Sequence, residues 1–431
     1  MSTPTTPRTG NALAIIGVLF FIFGFVTWLN GTLILYLRLV CQLQSDLQAF
    51  LVTFAFYLAY FFLALPSAFI LQKTGYKNGM AIGLFVMALG AILFVPAAHS
   101  RNFAVFLAGL FIQASGMSLL QTASNPYISV LGPLDSAAKR MSIMGICNKM
   151  AGGVAPLILG ALVLGNAAVL DKQIQTTTDP QVKETLLSAL AGRITPMYII
   201  MAIVLVLLSI MIKASRLPEI QTTGDDSGSD KHEGKTSVLQ YPYLLLGVLC
   251  IFLYVGVEVL VGDGIGTFGK AEGINLDHTR YFTTLPLAAM LVGYVTGIIT
   301  IPKYLSQQAA LRICAISGLL FGAAVLFTTG YTAIVFIALL GLSNSLMWPA
   351  IWPLALEGLG KFTKIGSALL IMGIVGGALL PLLYGWLKDN VHLQNNLAYC
   401  CCILPCYAYI LYYAIAGQKV GKRTAVAPGR G

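Results

Sequence analysis

Three ionisable side chains lie inside long apolar stretches of this sequence, namely Lys149, Glu258 and Asp263. Holding a charge in a membrane interior costs roughly a few kcal/mol or more, so such residues usually face a partner or a water-filled cavity. One lysine and two carboxylates leave one surplus negative charge, which one monovalent cation balances. We therefore expect Glu258 and Asp263 to take part in cation coupling. Lys149 either neutralises one of these acids or extends its ammonium group to the membrane surface.

Two alternatives stay open for the acids. Glu258 would equally serve as a hydrogen-bond partner between neighbouring helices. Asp263 would lie at the outer mouth of the protein if its apolar stretch ends earlier than expected.

Amides and aromatic rings within the apolar stretches supply what a neutral substrate requires. An amide offers both a donor and an acceptor to neutral polar groups, and an aromatic plane covers an apolar face. The alternative for any single amide is a hydrogen bond between helices. The candidate substrate-binding residues are Trp28, Asn30, Tyr57, Gln121, Asn125, Asn148, Lys149, Asn344, Trp348 and Trp352.

The sequence contains no motif that indicates an enzyme. Gly264-Ile-Gly266-Thr-Phe-Gly269 matches the dinucleotide-binding pattern, but it lies in an apolar stretch with no strand before it. The four histidines lie in or near loops, and the eight cysteines have no spacing suited to a disulfide framework. No enzymatic activity, no cofactor and no nucleic-acid partner are expected.

The elements that must position these residues are membrane-spanning helices. The chain is 57% apolar and 10% charged, whereas a soluble domain averages about 25% charged residues. A helix needs roughly 20 apolar residues to cross a bilayer. Twelve stretches qualify: 12–37, 47–72, 79–98, 103–131, 141–166, 194–213, 242–269, 280–301, 312–328, 331–358, 365–387 and 394–416.

The twelve stretches form two related halves. The same order of features occurs twice: a proline, a glycine-containing turn, basic residues and a Gly-Gly pair. The first copy runs from Pro126 to Gly152-Gly153 and the second from Pro353 to Gly376-Gly377, and the two prolines lie 227 residues apart. Duplicated halves are common in membrane transporters. We predict an N-terminal half over 1–213, a cytoplasmic linker over 214–241, and a C-terminal half with a cytoplasmic tail over 242–431. The other long connection is expected at 167–193.

Lysines and arginines predict the orientation. Seventeen lie on the side that holds both termini and eight on the other, which by the positive-inside rule places the termini and the linker in the cytoplasm.

Glycines predict where helices are interrupted. The seventh stretch contains Gly256, Gly262, Gly264, Gly266 and Gly269. In the first stretch, Gly24 and Gly31 flank Thr27 and Asn30, and a shift of 232 residues places Gly31 on Asp263. Broken helices free carbonyl oxygens that transporters use to bind cations. We therefore favour Na⁺ over H⁺ as the coupling ion, with Glu258 and Asp263 as its expected ligands and Thr27 as a further cation-coupling residue.

The motifs resemble one family closely. Leu29-Asn30, Gln121-Thr-Ala-Ser-Asn125-Pro126-Tyr127, Tyr254-Val-Gly256-Val-Glu258 and Trp348-Pro-Ala-Ile-Trp352-Pro353 look like those of the fucose:proton symporter group of the major facilitator superfamily. Gln121 is similar to the glucose/galactose permease branch of that group. Fucose permease-type members carry acids where this chain has Gly31 and Gln121, so the two acids that the resemblance associates with proton coupling are missing from this sequence.

Together these observations predict an all-α membrane protein with twelve transmembrane helices. The resemblance implies a major facilitator fold and a symporter that imports a neutral hexose such as glucose or galactose by alternating access. An uncoupled facilitator and an H⁺-coupled, fucose-like symporter are the alternatives. The expected location is the bacterial inner membrane, as a monomer in contact with lipid.

Overall fold

The computed structural model describes residues 9–130, 137–215, 217, 237–301, 303–359 and 362–422. Most of the predicted linker lies outside these residues, so the limits of the two halves stay a prediction. We use "first half" for the described residues up to 217 and "second half" for those from 237 onward.

Helices account for nearly all of the described residues. The first half contains α1 (Thr9–Trp28), α2 (Asn30–Val40), α3 (Asp46–Ile92), α4 (Phe94–Ser100), α5 (Phe103–Val130), α6 (Ala137–Leu162), α7 (Ala167–Thr176), α8 (Pro180–Gly192) and α9 (Ile194–Ala214). The second half contains α10 (Pro242–Asp263), α11 (Ile265–Ala271), α12 (Leu276–Thr279), α13 (Thr284–Thr300), α14 (Gln307–Leu326), α15 (Gly330–Asn344), α16 (Met347–Leu356), α17 (Thr363–Met372), α18 (Gly376–Asp389) and α19 (Asn395–Ile415). Short 3-10 turns lie at Val238–Gln240, Gly373–Val375 and Gly417–Lys419.

Within the described residues, twelve helical segments are long and apolar enough to cross a membrane. They are Leu13–Val40, Asp46–Leu71, Lys73–Ser100, Phe103–Ser124, Ile143–Leu162, Pro180–Ala214, Pro242–Asp263, Leu276–Thr300, Gln307–Leu326, Gly330–Leu356, Ile365–Asp389 and Asn395–Ile415. The prediction of an all-α, twelve-span membrane protein is confirmed. Helix α3 contains the second and third spans, and Gly75 turns the chain between them at φ 75°.

The long connection predicted at 167–193 is helical over most of its length, as α7 and α8, and its second part belongs to the sixth span. Helix α8 begins where the Asp179 carboxylate accepts a hydrogen bond from the Gln181 amide at 2.8 Å, and Pro180 occupies its first position. Both are favourable at a helix start. Arg193 keeps helical dihedral angles, so α8 runs on into α9 and the sixth span begins at Pro180. The polar composition of the segment had concealed these start signals.

An even number of spans places both termini on one side, here named the terminal side, and the opposite side is named the far side. Contacts between the halves join α3 to α18, α6 to α13, and α2 to both α10 and α11. At the far side, the Asp46 carboxylate binds Arg38 of its own half and Lys388 of the second half. The Leu47 amide donates to Asp389 Oδ2 at 2.6 Å. These contacts close the far side of the interface between the halves.

Candidate functional site at the interface of the two halves

A buried ion pair joins the two halves. The Nζ atom of Lys149 in α6 lies 2.8 Å from Oε1 of Glu258 in α10, and the two side chains are 8% and 11% exposed. An ion pair removed from water requires close geometry to offset its desolvation. Of the two roles expected for Lys149, the structure shows neutralisation of a seventh-span acid.

The indole ring of Trp28 supports this ion pair. The Lys149 ammonium lies over the ring, 4.3 Å from its centroid, where the ring's electrons attract a cation. Trp28 is 3% exposed. The ring packs directly on two glycines: a Cβ at Gly152 would lie 2.3 Å from Cδ1, and a Cβ at Gly262 would lie 2.3 Å from Cζ3. Neither position has room for a side chain while the ring is in place.

Asp263 follows Glu258 by five residues in α10 and is fully buried. Its carboxylate oxygens accept no hydrogen bond of ordinary geometry from the described residues. A Cβ at Gly31 would lie 3.3 Å from Oδ1 of Asp263 and 2.3 Å from Oγ1 of Thr283. The two positions that correspond between the halves are therefore in contact. An ionised carboxylate without partners is costly to bury, so this site suits a neutral acid or an acid that binds a cation.

Thr27 is engaged within the first half. Its hydroxyl donates to the sulfur of Met117 at 3.3 Å, within the first half. Asn30 is buried beside Gly31, and its amide nitrogen has no partner among the described residues. Asn30 is thus a free donor at the interface, whereas the recorded contacts of Thr27 give no support to a role in cation binding.

The other candidate amides are partly engaged by the protein. Gln121 Nε2 donates to the Tyr60 hydroxyl at 3.1 Å, and Asn148 Nδ2 donates to the Phe20 carbonyl at 3.4 Å. Asn344 Oδ1 accepts from the Tyr407 hydroxyl at 2.8 Å, while its Nδ2 has no partner among the described residues. The side chain of Asn125 lies outside the described part of the chain. Tyr60 and Tyr407 are hydrogen-bond partners of these candidate amides, and sequence spacing did not identify them.

The candidate rings form one aromatic group in each half. Trp348 and Trp352 are stacked, with centroids 5.2 Å apart and an interplanar angle of 27°. Tyr57 stacks on Tyr60 at 6.2 Å and 25°. Both tryptophans are partly exposed. The spacing of four residues places the tryptophan rings on the same side of α16.

The predicted interruption of the seventh span is mild. Helix α10 ends at Asp263 and α11 begins at Ile265, but Gly264 keeps helical dihedral angles. Its amide donates to the Leu260 carbonyl at 3.0 Å, and its own carbonyl accepts from Phe268 at 2.9 Å. The expected free carbonyl is therefore absent at Gly264. Among the described residues, no group of three or more His, Cys, Asp or Glu side chains could hold a metal ion.

Glu357 forms an ion pair at the terminal side. Its carboxylate pairs with Lys422 at 2.6 Å, whereas the side chains of its sequence neighbours Lys361 and Lys364 lie outside the described residues. The contact attaches the segment that follows α19 to the terminal side of the second half.

Comparison with known proteins confirms the predicted family. The model of the Major Facilitator Superfamily matches residues 16–381. The chain is 36% identical to a "Glucose/galactose transporter" of Brucella abortus over 97% of this chain and 96% of that protein. It is 28% identical to the "L-fucose-proton symporter" of Escherichia coli over 87% of this chain and 86% of that protein.

A solved structure agrees with this result. The crystal structure of the transporter FucP in the outward conformation matches with a TM-score of 0.73 and 26% identity, over 96% of this chain and 99% of that chain. Fold and relatives alike are those of transporters rather than enzymes. The chain is a multi-pass membrane protein that belongs to the Major Facilitator Superfamily.

Proposed function

We propose that this chain is a cation-coupled symporter that imports a neutral hexose, such as glucose or galactose, by alternating access. The observation that carries the proposal is the group of buried ionisable side chains between the halves: the Lys149–Glu258 pair and the fully buried Asp263, which lies against Gly31. The 36% identical relative named as a glucose/galactose transporter supports the substrate class.

The substrate is proposed to bind between the aromatic groups of the two halves. The stacked Trp348 and Trp352 offer a plane for the carbon face of a pyranose. The free amide nitrogens of Asn30 and Asn344 are donors for its hydroxyl groups. Amides recognise hydroxyls without selecting for charge, which suits a neutral sugar.

Na⁺ as the coupling ion stays a prediction, and the local geometry favours the alternative, a proton. A hard cation requires several oxygen ligands. The carbonyl of Gly264 is occupied within the helix, and the hydroxyl of Thr27 bonds to Met117. A proton requires the Asp263 carboxylate alone, and the E. coli relative is named as a proton symporter.

Alternating access follows from where the charges lie. Lys149 and Glu258 belong to different halves, so rocking of the halves that opens the far side separates them. Asp263 then leaves Gly31 and becomes accessible from that side. In the closed arrangement described here, the pair is neutral and Asp263 is sealed beneath the far-side contacts.

Uptake into proteoliposomes tests the proposal. Radiolabelled glucose or galactose is supplied under an imposed pH gradient, an imposed Na⁺ gradient, or neither, and counterflow is measured in parallel. We expect accumulation above equilibrium with one of the gradients and counterflow without either. Sugar that merely equilibrates under every condition would make the chain an uncoupled facilitator. Binding without movement would make it a sensor.

We also propose that the protein is a monomer in the bacterial inner membrane with both termini in the cytoplasm. The excess of basic residues on the terminal side supports this orientation. Fusion of a reporter that is active only in the periplasm to residue 431 tests it, and activity of that fusion would reverse the assignment.

A further inference from the structure

We infer that Trp28 is a positioning residue that couples the Lys149–Glu258 ion pair to closure of the far side. This inference rests on the proposed transport function, because it assumes that the halves rock against each other. Trp28 contacts three groups at once: the Lys149 ammonium, Gly152 of its own half, and Gly262 of the second half.

The two glycine contacts are equally close but differ in what they join. A Cβ at either glycine would lie 2.3 Å from the indole ring. Gly152 lies in α6, which packs on α1 within the first half, so this contact persists when the halves move. Gly262 lies in α10 of the second half. Its contact with Trp28 therefore exists only while the halves are closed here.

Other glycines show that the halves meet closely along the same face. A Cβ at Gly266 would lie 2.9 Å from Leu35, and one at Gly385 would lie 2.9 Å from Leu47, each across the interface. A Cβ at Gly160 would lie 2.8 Å from Tyr281 in the same way. Trp28 differs from these contacts because its ring also carries the Lys149 ammonium.

Closure of the far side then does two things in one movement. It brings Gly262 against the six-membered edge of the indole ring, at Cζ3, and it brings Glu258, one helical turn earlier in α10, to Lys149. The indole ring of Trp28 holds the Lys149 ammonium in place while the Glu258 carboxylate approaches it. Neutralisation of Glu258 and closure of the far side are thus one event.

Alanine substitutions at Gly262 and at a control glycine, Gly153, test this inference. The reporter is Leu35→Cys, because Leu35 is 3% exposed in the closed arrangement and faces the second half. It is placed in a Cys41→Ser background, since Cys41 is partly exposed on the far side. Labelling by a membrane-impermeant maleimide, added from the far side of proteoliposomes, then measures opening.

We expect Gly262→Ala to accelerate labelling about tenfold, as a shift of about 1.4 kcal/mol in the closing equilibrium would produce. Gly153→Ala adds the same methyl group one residue from Gly152, where no heavy atom lies within 4 Å, so its labelling rate should stay at that of the reporter protein. Trp28→Phe replaces the two fused rings of the indole by one smaller ring, which removes the part around Cζ3 that faces Gly262. Adding it to Gly262→Ala should therefore restore slow labelling.

Equal labelling in the two alanine variants would overturn the inference, as would a double variant that labels as fast as Gly262→Ala. Should Gly262→Ala not fold, Trp28→Phe alone decides: loss of the ring contact should speed labelling, and an unchanged rate contradicts the inference. Labelling requires no sugar, whereas counterflow by the reporter protein reports transport. Failure of the inference and failure of the proposed function are thus distinguished.

Discussion

The Asp263 carboxylate lies against Gly31, with Oδ1 3.3 Å from the place that a Cβ on Gly31 would occupy. The seventh span thereby brings a buried acid to the point of the first span where the chain has no side chain. The acid at this point of the interface is thus supplied by the second half.

Asp263→Asn should abolish gradient-driven accumulation of sugar while leaving counterflow intact. The amide keeps the shape of the side chain but carries no negative charge and cannot take up or release a proton, so the ion and the sugar would no longer move together. Uptake and counterflow in proteoliposomes measure the two activities separately. Asp277→Asn, which alters a partly exposed acid on the same side, is the matched control and should accumulate sugar normally. Undiminished accumulation by Asp263→Asn would refute the coupling assignment.

Gly31→Ala should weaken closure of the far side and lower stability by about 1–3 kcal/mol, the usual cost of overpacking. The new methyl group would lie 2.3 Å from the Thr283 hydroxyl oxygen. Thr283→Ala removes that oxygen, so the double variant should recover most of the loss. Thermal unfolding in detergent measures both variants. A double variant no more stable than Gly31→Ala would show that Thr283 is not the obstacle.

Lys149→Gln should destabilise the protein by about 3–5 kcal/mol, because it leaves the buried Glu258 carboxylate without a partner. Adding Glu258→Gln removes that uncompensated charge and should restore most of the stability, though not transport. Thermal unfolding of the single and double variants checks this. If the double variant is as unstable as the single one, the two side chains are not coupled.

We expect the far-side residue Lys270 to make the stability of the folded protein depend on pH. Burial, followed by the nearby Arg38 guanidinium, holds the pKa of Lys270 below its ordinary value of 10.5. Between the lowered pKa and 10.5 the unfolded chain binds more protons than the folded one, so this group makes stability rise with pH in that window. Lys270→Gln should raise stability below the window and flatten the rise.

Thermal unfolding from pH 7 to 10.5 measures this effect as a difference from the unsubstituted protein. Lys172→Gln, which alters an exposed lysine on the same side, should leave the profile unchanged. Parallel profiles for Lys270→Gln and the unsubstituted protein would contradict the assignment.

Hydropathy predicts the spans well because a bilayer imposes one length on every crossing helix. The charges inside the spans were likewise visible, since Lys149, Glu258 and Asp263 interrupt apolar runs. Their partners were not, because Lys149 and Glu258 are 109 residues apart and either acid would have balanced the lysine. Glycine content overstated the break in the seventh span, because Gly264 retains both backbone hydrogen bonds of a helix.

The far-side contacts were beyond prediction for a related reason. Asp46 and Lys388 are 342 residues apart, and both lie at the ends of spans where charged residues are ordinary. Packing of Trp28 between Gly152 and Gly262 depends on the angles between three helices, which local sequence patterns do not encode. Composition locates the helices, whereas tertiary packing selects which of their polar groups meet.

Lys149 and Glu258 also constrain the order in which the protein can be made. A ribosome completes the fifth span before it synthesises the seventh, so the ammonium group exists for a time without its carboxylate. During that interval Lys149 must stay hydrated, near the membrane surface or in a water-filled opening. The fifth span therefore gains the partner of its buried charge only when residue 258 has been synthesised.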